Sequence, residues 1–244
     1  MTETRKHFHE ELQELSDDVV RLGAMAGEAI EAGTDALLSS DLAAVERVVA
    51  GDGQLDELMH AIERHTYLLM ARQQPMAVDL RVLVTILRVV HEIERIGDLM
   101  VKVAKATRRL YPGGLEPRVR GLIDRMRTQA HAQLTLAVEA FAEKDVARAS
   151  ALNDMDDVMD DLQRDLFQAI FASSAEDESA VQRAVQIALL GRYYERIGDH
   201  AATVGDRVGF MVTGEYGHLP TGVPPAADAD AAQSQPGDGR SRPR

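Results

Sequence analysis

Apolar residues recur along this chain at steps of three and four. Val82, Ile86, Val89, Ile93, Ile96, Met100 and Val103 form one such stripe. Ile187, Leu190, Tyr194, Ile197, Ala201, Val204, Val208 and Met211 form another. A repeat of that period marks one face of an amphipathic helix several turns long. The breaks between stripes carry their own chemistry. Ser39-Ser40-Asp41 reads as an N-cap. Gln74-Pro75 ends one helix and begins the next. Tyr111-Pro112-Gly113-Gly114 is a firm stop. Ser174-Ala175-Glu176-Asp177 resembles a capping box with Asp in place of the usual Glu. The pattern predicts helices over 4–39, 41–72, 76–110, 116–143, 145–173 and 177–214.

Composition supports helices over strands. No Pro falls between Met1 and Gln74 or between Arg118 and Leu219, aromatic residues make up 4%, and Trp is absent. From Gly217 onward the character changes. The last 28 residues hold five Pro and four Gly, with few large apolar side chains, and read as a disordered tail. Charge then narrows the function. The formal net charge of −13 repels nucleic acid backbones, so no nucleic acid partner is expected. Absence of Cys excludes disulfides, thiolate metal sites, Fe–S clusters and Cys nucleophiles. No run approaches the ~18 apolar residues of a membrane span. The polar start, Met1 to His7, predicts no secretory leader. A cytoplasmic protein, peripheral to membrane complexes at most, is the expectation.

The chain also repeats itself. Residues 94–98 read Glu-Arg-Ile-Gly-Asp, and residues 195–199 read the same, 101 positions on. Upstream, 52–58 and 156–162 match in their acidic and apolar positions at an offset of 104. The expected architecture is therefore all-α: two similar three-helix bundles side by side, over 1–112 and 113–216, with a tail over 217–244.

The repeated positions carry the chemistry. Glu94 and Asp98 lie four apart, one helical turn from each other on one face, and Glu195 and Asp199 repeat this. Asp52 with Asp56, and Asp156 with Asp160, are further pairs of this kind on the preceding helix of each half. Like charges at that spacing repel by a few tenths of a kcal/mol. If the two helices of a half are neighbours, their pairs converge on a four-carboxylate patch. Such oxygens are hard ligands for divalent or iron-type metal ions, and a cation would relieve the repulsion. Asp157 and Asp161 compete with Asp156 and Asp160 for these places. Gly97 and Gly198 sit inside helices at a cost of about 1 kcal/mol each against Ala. With Gly51 and Gly53, they leave room for a metal, a water or a close backbone. Arg95 and Arg196 are placed to hold carboxylates of a neighbouring motif or an anion.

Other candidates are weaker. His91 shares a face with Glu94, but its counterpart is Arg192, which ligates nothing, so a surface or capping role is favoured. Glu57-Leu58-Met59-His60 matches the Glu-x-x-His signature of di-iron bundles, yet its counterpart ends in Arg164. No phosphate-cradling loop, nucleophile elbow or acid–base constellation is present. A non-enzymatic protein is expected, with a metal-dependent enzyme on a carboxylate-rich helical bundle as the alternative.

Two three-helix halves, each with an acidic pair on its second helix and Glu-Arg-Ile-Gly-Asp on its third, resemble the PhoU family. The segment Gln74 to Arg81 is similar to the family pattern as well, and the resemblance covers roughly residues 5–215. It implies two three-helix bundles packed together, with metal ions on the acidic motifs of some members. The ligand positions it implies are Asp52, Asp56, Glu94, Asp98, Asp156, Asp160, Glu195 and Asp199. It also implies an adaptor that restrains phosphate-regulon signalling and modulates the high-affinity phosphate importer when phosphate is plentiful. The implied partners are the sensor histidine kinase of the phosphate two-component system, the ATPase subunit of the importer and a second copy in a homodimer.

Overall fold

The computed structural model describes residues 2–172 and 178–215. Six helices make up the described chain: α1 (Thr2–Ser39), α2 (Leu42–Gln73), α3 (Val78–Leu110), α4 (Pro117–Glu143), α5 (Val146–Ala172) and α6 (Glu178–Thr213). Their ends fall within two residues of the predicted bounds, for local reasons. Asp41 caps α2, its Oδ1 accepting from the N–H groups of Ala43 and Ala44 at 2.8 and 3.0 Å. Asp145 caps α5 likewise, accepting from Ala147 and Arg148 at 2.8 and 3.1 Å. The residue before each cap, Ser40 or Lys144, has φ 55°. The duplication thus reaches into the turns, where one left-handed residue and one Asp cap end and restart the helix. Pro117 opens α4, where its missing N–H has no intrahelical partner to lose.

One departure has a clear cause. The third helix starts at Val78 rather than 76. Gln74 and Ala77 both take positive φ, 47° and 49°, so the chain turns twice before helix begins and Pro75 lies in the turn. The predicted capping box at Ser174–Asp177 and the tail over 217–244 lie outside the described residues.

Each half is a three-helix bundle, and the halves join along two seams, α3 on α6 and α1 on α4. Both seams are antiparallel. Along the first, Arg81 reaches the Met211 carbonyl, Glu92 meets His200, and Arg109 meets Gln186. Along the second, Arg127 reaches Asp35 and Arg120 the Leu38 carbonyl. The halves are therefore related by a pseudo-twofold axis across the helices. Contact of Glu92 with His200 sets the two Glu-Arg-Ile-Gly-Asp segments at one level, mid-seam. The central helices α1, α3, α4 and α6 surround one continuous apolar core. By contrast, among the described residues α2 packs only on α1 and α3, and α5 only on α4 and α6. That is why six α2 residues are buried while α3, covered from several sides, buries seventeen. The core carries a polar link between halves: the Tyr194 phenol lies 2.6 Å from Thr34 Oγ1, and both side chains are fully buried. No described helix is long and apolar enough to cross a membrane.

Candidate functional site

The flanking helices bring the predicted carboxylates together. On α2 the buried stripe of Leu55, Met59 and Ile62 faces the bundle. Asp52 and Asp56 flank Leu55 and so turn toward α3, where Glu94 and Asp98 wait. Gly97 permits the approach, since a Cβ there would stand 3.0 Å from Leu55 Cδ1. The result is a shared negative field. Burial pushes the Asp52 carboxyl up, and Asp56 and Asp98 add to it. Burial also pushes Glu94 up, with Asp98 and Asp56 adding. Arg95 lies back on its own motif, 3.6 Å from Glu94 and 3.4 Å from Asp98, and Lys102 stands 3.9 Å from Asp98. Gly51 and Gly53 need no close neighbour to explain them, because a Cβ at either meets nothing within 4 Å.

The second half repeats the cluster, with Glu195 more deeply buried than Glu94 and with Asp160 and Asp199 exposed. Burial raises Asp156, and Asp199 and Asp160 add to it. Burial raises Glu195, and Asp199, Asp160 and Asp156 add to it. Within α5, Asp160 acts on Asp156 more strongly than Asp157 does. Asp157 is exposed and is the least of the charges acting on Asp156, and Asp161 pairs with Arg164. Here the helical glycine faces the acid itself. A Cβ on Gly198 would stand 2.7 Å from Asp156 Oδ1 and 3.2 Å from the Gln133 amide. Gly198→Ala is thus expected to push Asp156 aside and destabilise the fold by about 1 kcal/mol, after the gain in helix propensity. Gly97→Ala meets only the end of a Leu side chain and is expected to be near neutral. Chemical denaturation of the two variants checks the difference.

A family model supplies the identity of this duplicated, acid-bearing fold. The PhoU domain matches the chain twice, over residues 19–107 and 123–208. The chain belongs to the PhoU family. It is 36% identical over 211 residues to "Phosphate-specific transport system accessory protein PhoU homolog 1" of Mycobacterium tuberculosis, covering 86% of this chain and 95% of that protein. Homolog 2 of the same organism is 37% identical over 213 residues, covering 87% and 99%. The crystal structure of PhoU from Pseudomonas aeruginosa superposes with a TM-score of 0.79 at 28% identity, covering 85% of this chain and all of that one. The phosphate transport system regulatory protein PhoU from Streptococcus pneumoniae gives 0.79 at 25% identity, covering 87% of this chain and 100% of that one.

Within this PhoU fold the donor set suits a hard cation: four carboxylates per half, of which Asp52 and Glu94, or Asp156 and Glu195, are held back from ionising by burial and by the charge of their neighbours. Among the described residues, no three Asp, Glu or His side chains are already closed around one point. A cation would therefore draw side chains inward from the positions they hold. The imidazoles serve elsewhere. Glu63 of α2 binds His91 of α3 at 2.9 Å and His60 at 3.1 Å. Burial acts to raise Glu63, but these two hydrogen bonds outweigh it and hold its carboxyl low. His60 is thereby spoken for, and the repeat counterpart of its Glu-x-x-His motif ends in Arg164, so the duplicated position completes no di-iron set. His200, beside Asp199 in sequence, joins Glu92 across the seam at 2.7 Å.

The sequence analysis missed two residues. Glu63 lies 28 positions from His91, a spacing that carries no local signal. Gln133 did carry one: it is a polar residue at an apolar stripe position, after Met126 and Ala130 and before Ala137, and all four are buried.

Proposed function

We propose that this chain is an accessory protein of the phosphate-specific transport system, a non-enzymatic cytoplasmic adaptor that restrains phosphate-regulon signalling and modulates the importer when phosphate is plentiful. The observation that carries the reading is the extent of the match. Two relatives named as accessory proteins of the phosphate-specific transport system align over 86% and 87% of the chain, and both copies of the acidic motif lie inside the matched domains. The sensor histidine kinase of the phosphate two-component system and the ATPase subunit of the importer are its partners in this reading, with a homodimer as the working form. Docking is favoured by large apolar side chains left in solvent near the helix ends, Met76 at 80% and Phe171 at 85% exposure. The acidic clusters at Asp52, Asp56, Glu94 and Asp98, and at Asp156, Asp160, Glu195 and Asp199, hold hard metal ions that neutralise them and fix α2 and α5 in place.

The test is a phosphate-regulon reporter in phosphate-rich medium, in a strain lacking this gene and every other gene with a PhoU domain. Expression is expected to rise about tenfold or more, and a plasmid copy of this gene alone should silence it. A reporter that stays silent in that strain, or that this gene fails to silence, rejects the adaptor reading.

A further inference from the structure

The two clusters are not copies of each other in one respect. Gln133, on α4, is fully buried beside the second cluster. Its Nε2 donates to Asp156 Oδ1 at 3.4 Å, while its Oε1 is buried with no partner. Exchanging the amide's two ends gives no relief, because it would set oxygen against the Asp156 carboxylate. Glu195 shows the same deficit. Its Oε1 accepts from Arg192, while its Oε2 is buried without a partner and the residue is only 9% exposed. An acceptor buried without a donor costs about 1–3 kcal/mol. Two such oxygens thus border one acidic cluster, the Gln133 amide beside the bare Cα of Gly198 and Glu195 one turn earlier on that helix.

The first half lacks this feature. Aligning the two PhoU-domain segments at their starts pairs Gln133 with Ala29. Ala29 lines an open groove of ≈ 690 Å³ between α1 and α2 that also borders Asp52 and Gly97. None of the buried unpartnered oxygens belongs to Asp52, Asp56, Glu94 or Asp98.

A proton on Glu195 would satisfy Oε2 and leave the amide oxygen bare. A hard cation takes both, since amide and carboxylate oxygens are alike its ligands. We propose that the clusters are inequivalent cation sites, and that Gln133 makes the second the tighter one by adding a neutral oxygen from α4 to the carboxylates of α5 and α6. The inference rests on the reading that the clusters hold cations. It also gives the metal a structural role, because an α4 ligand ties all three helices of the second bundle, whereas the first cluster ties two.

The experiment titrates Mn²⁺ into metal-stripped full-length protein and reads free Mn²⁺ by electron paramagnetic resonance. Two classes of site are expected, the tighter at least tenfold stronger than the weaker. Gln133→Met keeps the volume and removes the oxygen. It is expected to weaken only the tighter class, about tenfold. Gln133→Glu restores an oxygen and should retain tight binding. Asp98→Asn should weaken only the other class. Thermal unfolding of each metal-free variant verifies that it is folded. No Mn²⁺ binding at any site defeats the cation reading itself. Mn²⁺ binding that Gln133→Met leaves unchanged, or that Gln133→Glu loses as fully as Gln133→Met, overturns the inference and leaves the cation reading standing.

Discussion

Tyr194→Ala is expected to lower the midpoint of thermal unfolding by roughly 10 °C while leaving a single transition. Tyr194 is the largest of the fully buried side chains, and it lies in α6 where the halves meet. Truncating a buried aromatic costs about 3–5 kcal/mol in lost transfer energy and residual cavity. For a domain of this size each kcal/mol moves the midpoint by about 2–4 °C. Its hydroxyl is a smaller part. Burial pushes the phenol well above its usual range, so it stays protonated and donates to Thr34 Oγ1. Thr34 in turn donates to the Ile30 carbonyl at 2.7 Å. In Tyr194→Phe that second bond survives, and only about 1 kcal/mol is lost. The transition stays single because the core runs unbroken from α1 to α6. Calorimetry of the three proteins decides the matter. Two separated transitions in Tyr194→Ala, or a shift no larger than that of Tyr194→Phe, would show that the halves are not held together here.

Tyr194 also shows what sequence could and could not reveal. Its place in an apolar stripe was legible, and so was its counterpart Ile93 in the other half. Its bond to Thr34, 160 residues away, was not. Periodicity reports which face of a helix is buried, not which helix covers it. The same limit explains the site. The four acidic pairs were readable because each is local, a turn of one helix, and because duplication wrote each twice. Their convergence followed only if α2 lies on α3 and α5 on α6, which the fold bears out. Antiparallel pairing of the halves was not legible. It depends on seam contacts such as Arg81 with the Met211 carbonyl, between residues 130 apart. Of the glycines, Gly97 and Gly198 answer to close contacts, while Gly51 and Gly53 do not. Composition alone treats all four alike.

Removing metal is expected to make the protein less stable as pH rises from about 4 to 7, and adding Mn²⁺ to reverse that loss. The sign follows from the four raised carboxyls, Asp52, Glu94, Asp156 and Glu195. Each holds its proton more tightly folded than unfolded. In that window the native state binds more protons, so stability is full below the unfolded pKa and falls as pH climbs through the folded one. Glu63 works in the opposite direction, since its lowered carboxyl stabilises the fold above the ordinary Glu range and ceases to as pH falls. The cluster contribution is therefore read as the difference between the wild type and Asp98→Asn/Asp199→Asn. Asp98 acts on both raised groups of the first cluster and Asp199 on both of the second, so the double variant should lose most of the slope. It should be more stable than the wild type at pH 7 without metal, and less stable with it. A cation at a hundred times its dissociation constant adds about 2.7 kcal/mol per site, or roughly 5–10 °C in the midpoint. Toward pH 4 protons compete with the cation for the four raised carboxyls, and Mn²⁺ should add less. Thermal melts across this range, with chelator or with Mn²⁺, give the answer. A midpoint indifferent to metal at pH 7 would mean that the clusters merely bear their repulsion. A midpoint that responds would place cation binding and helix docking in one equilibrium, because each cluster joins a carboxylate pair on a flanking helix to a pair on the central helix it rests on.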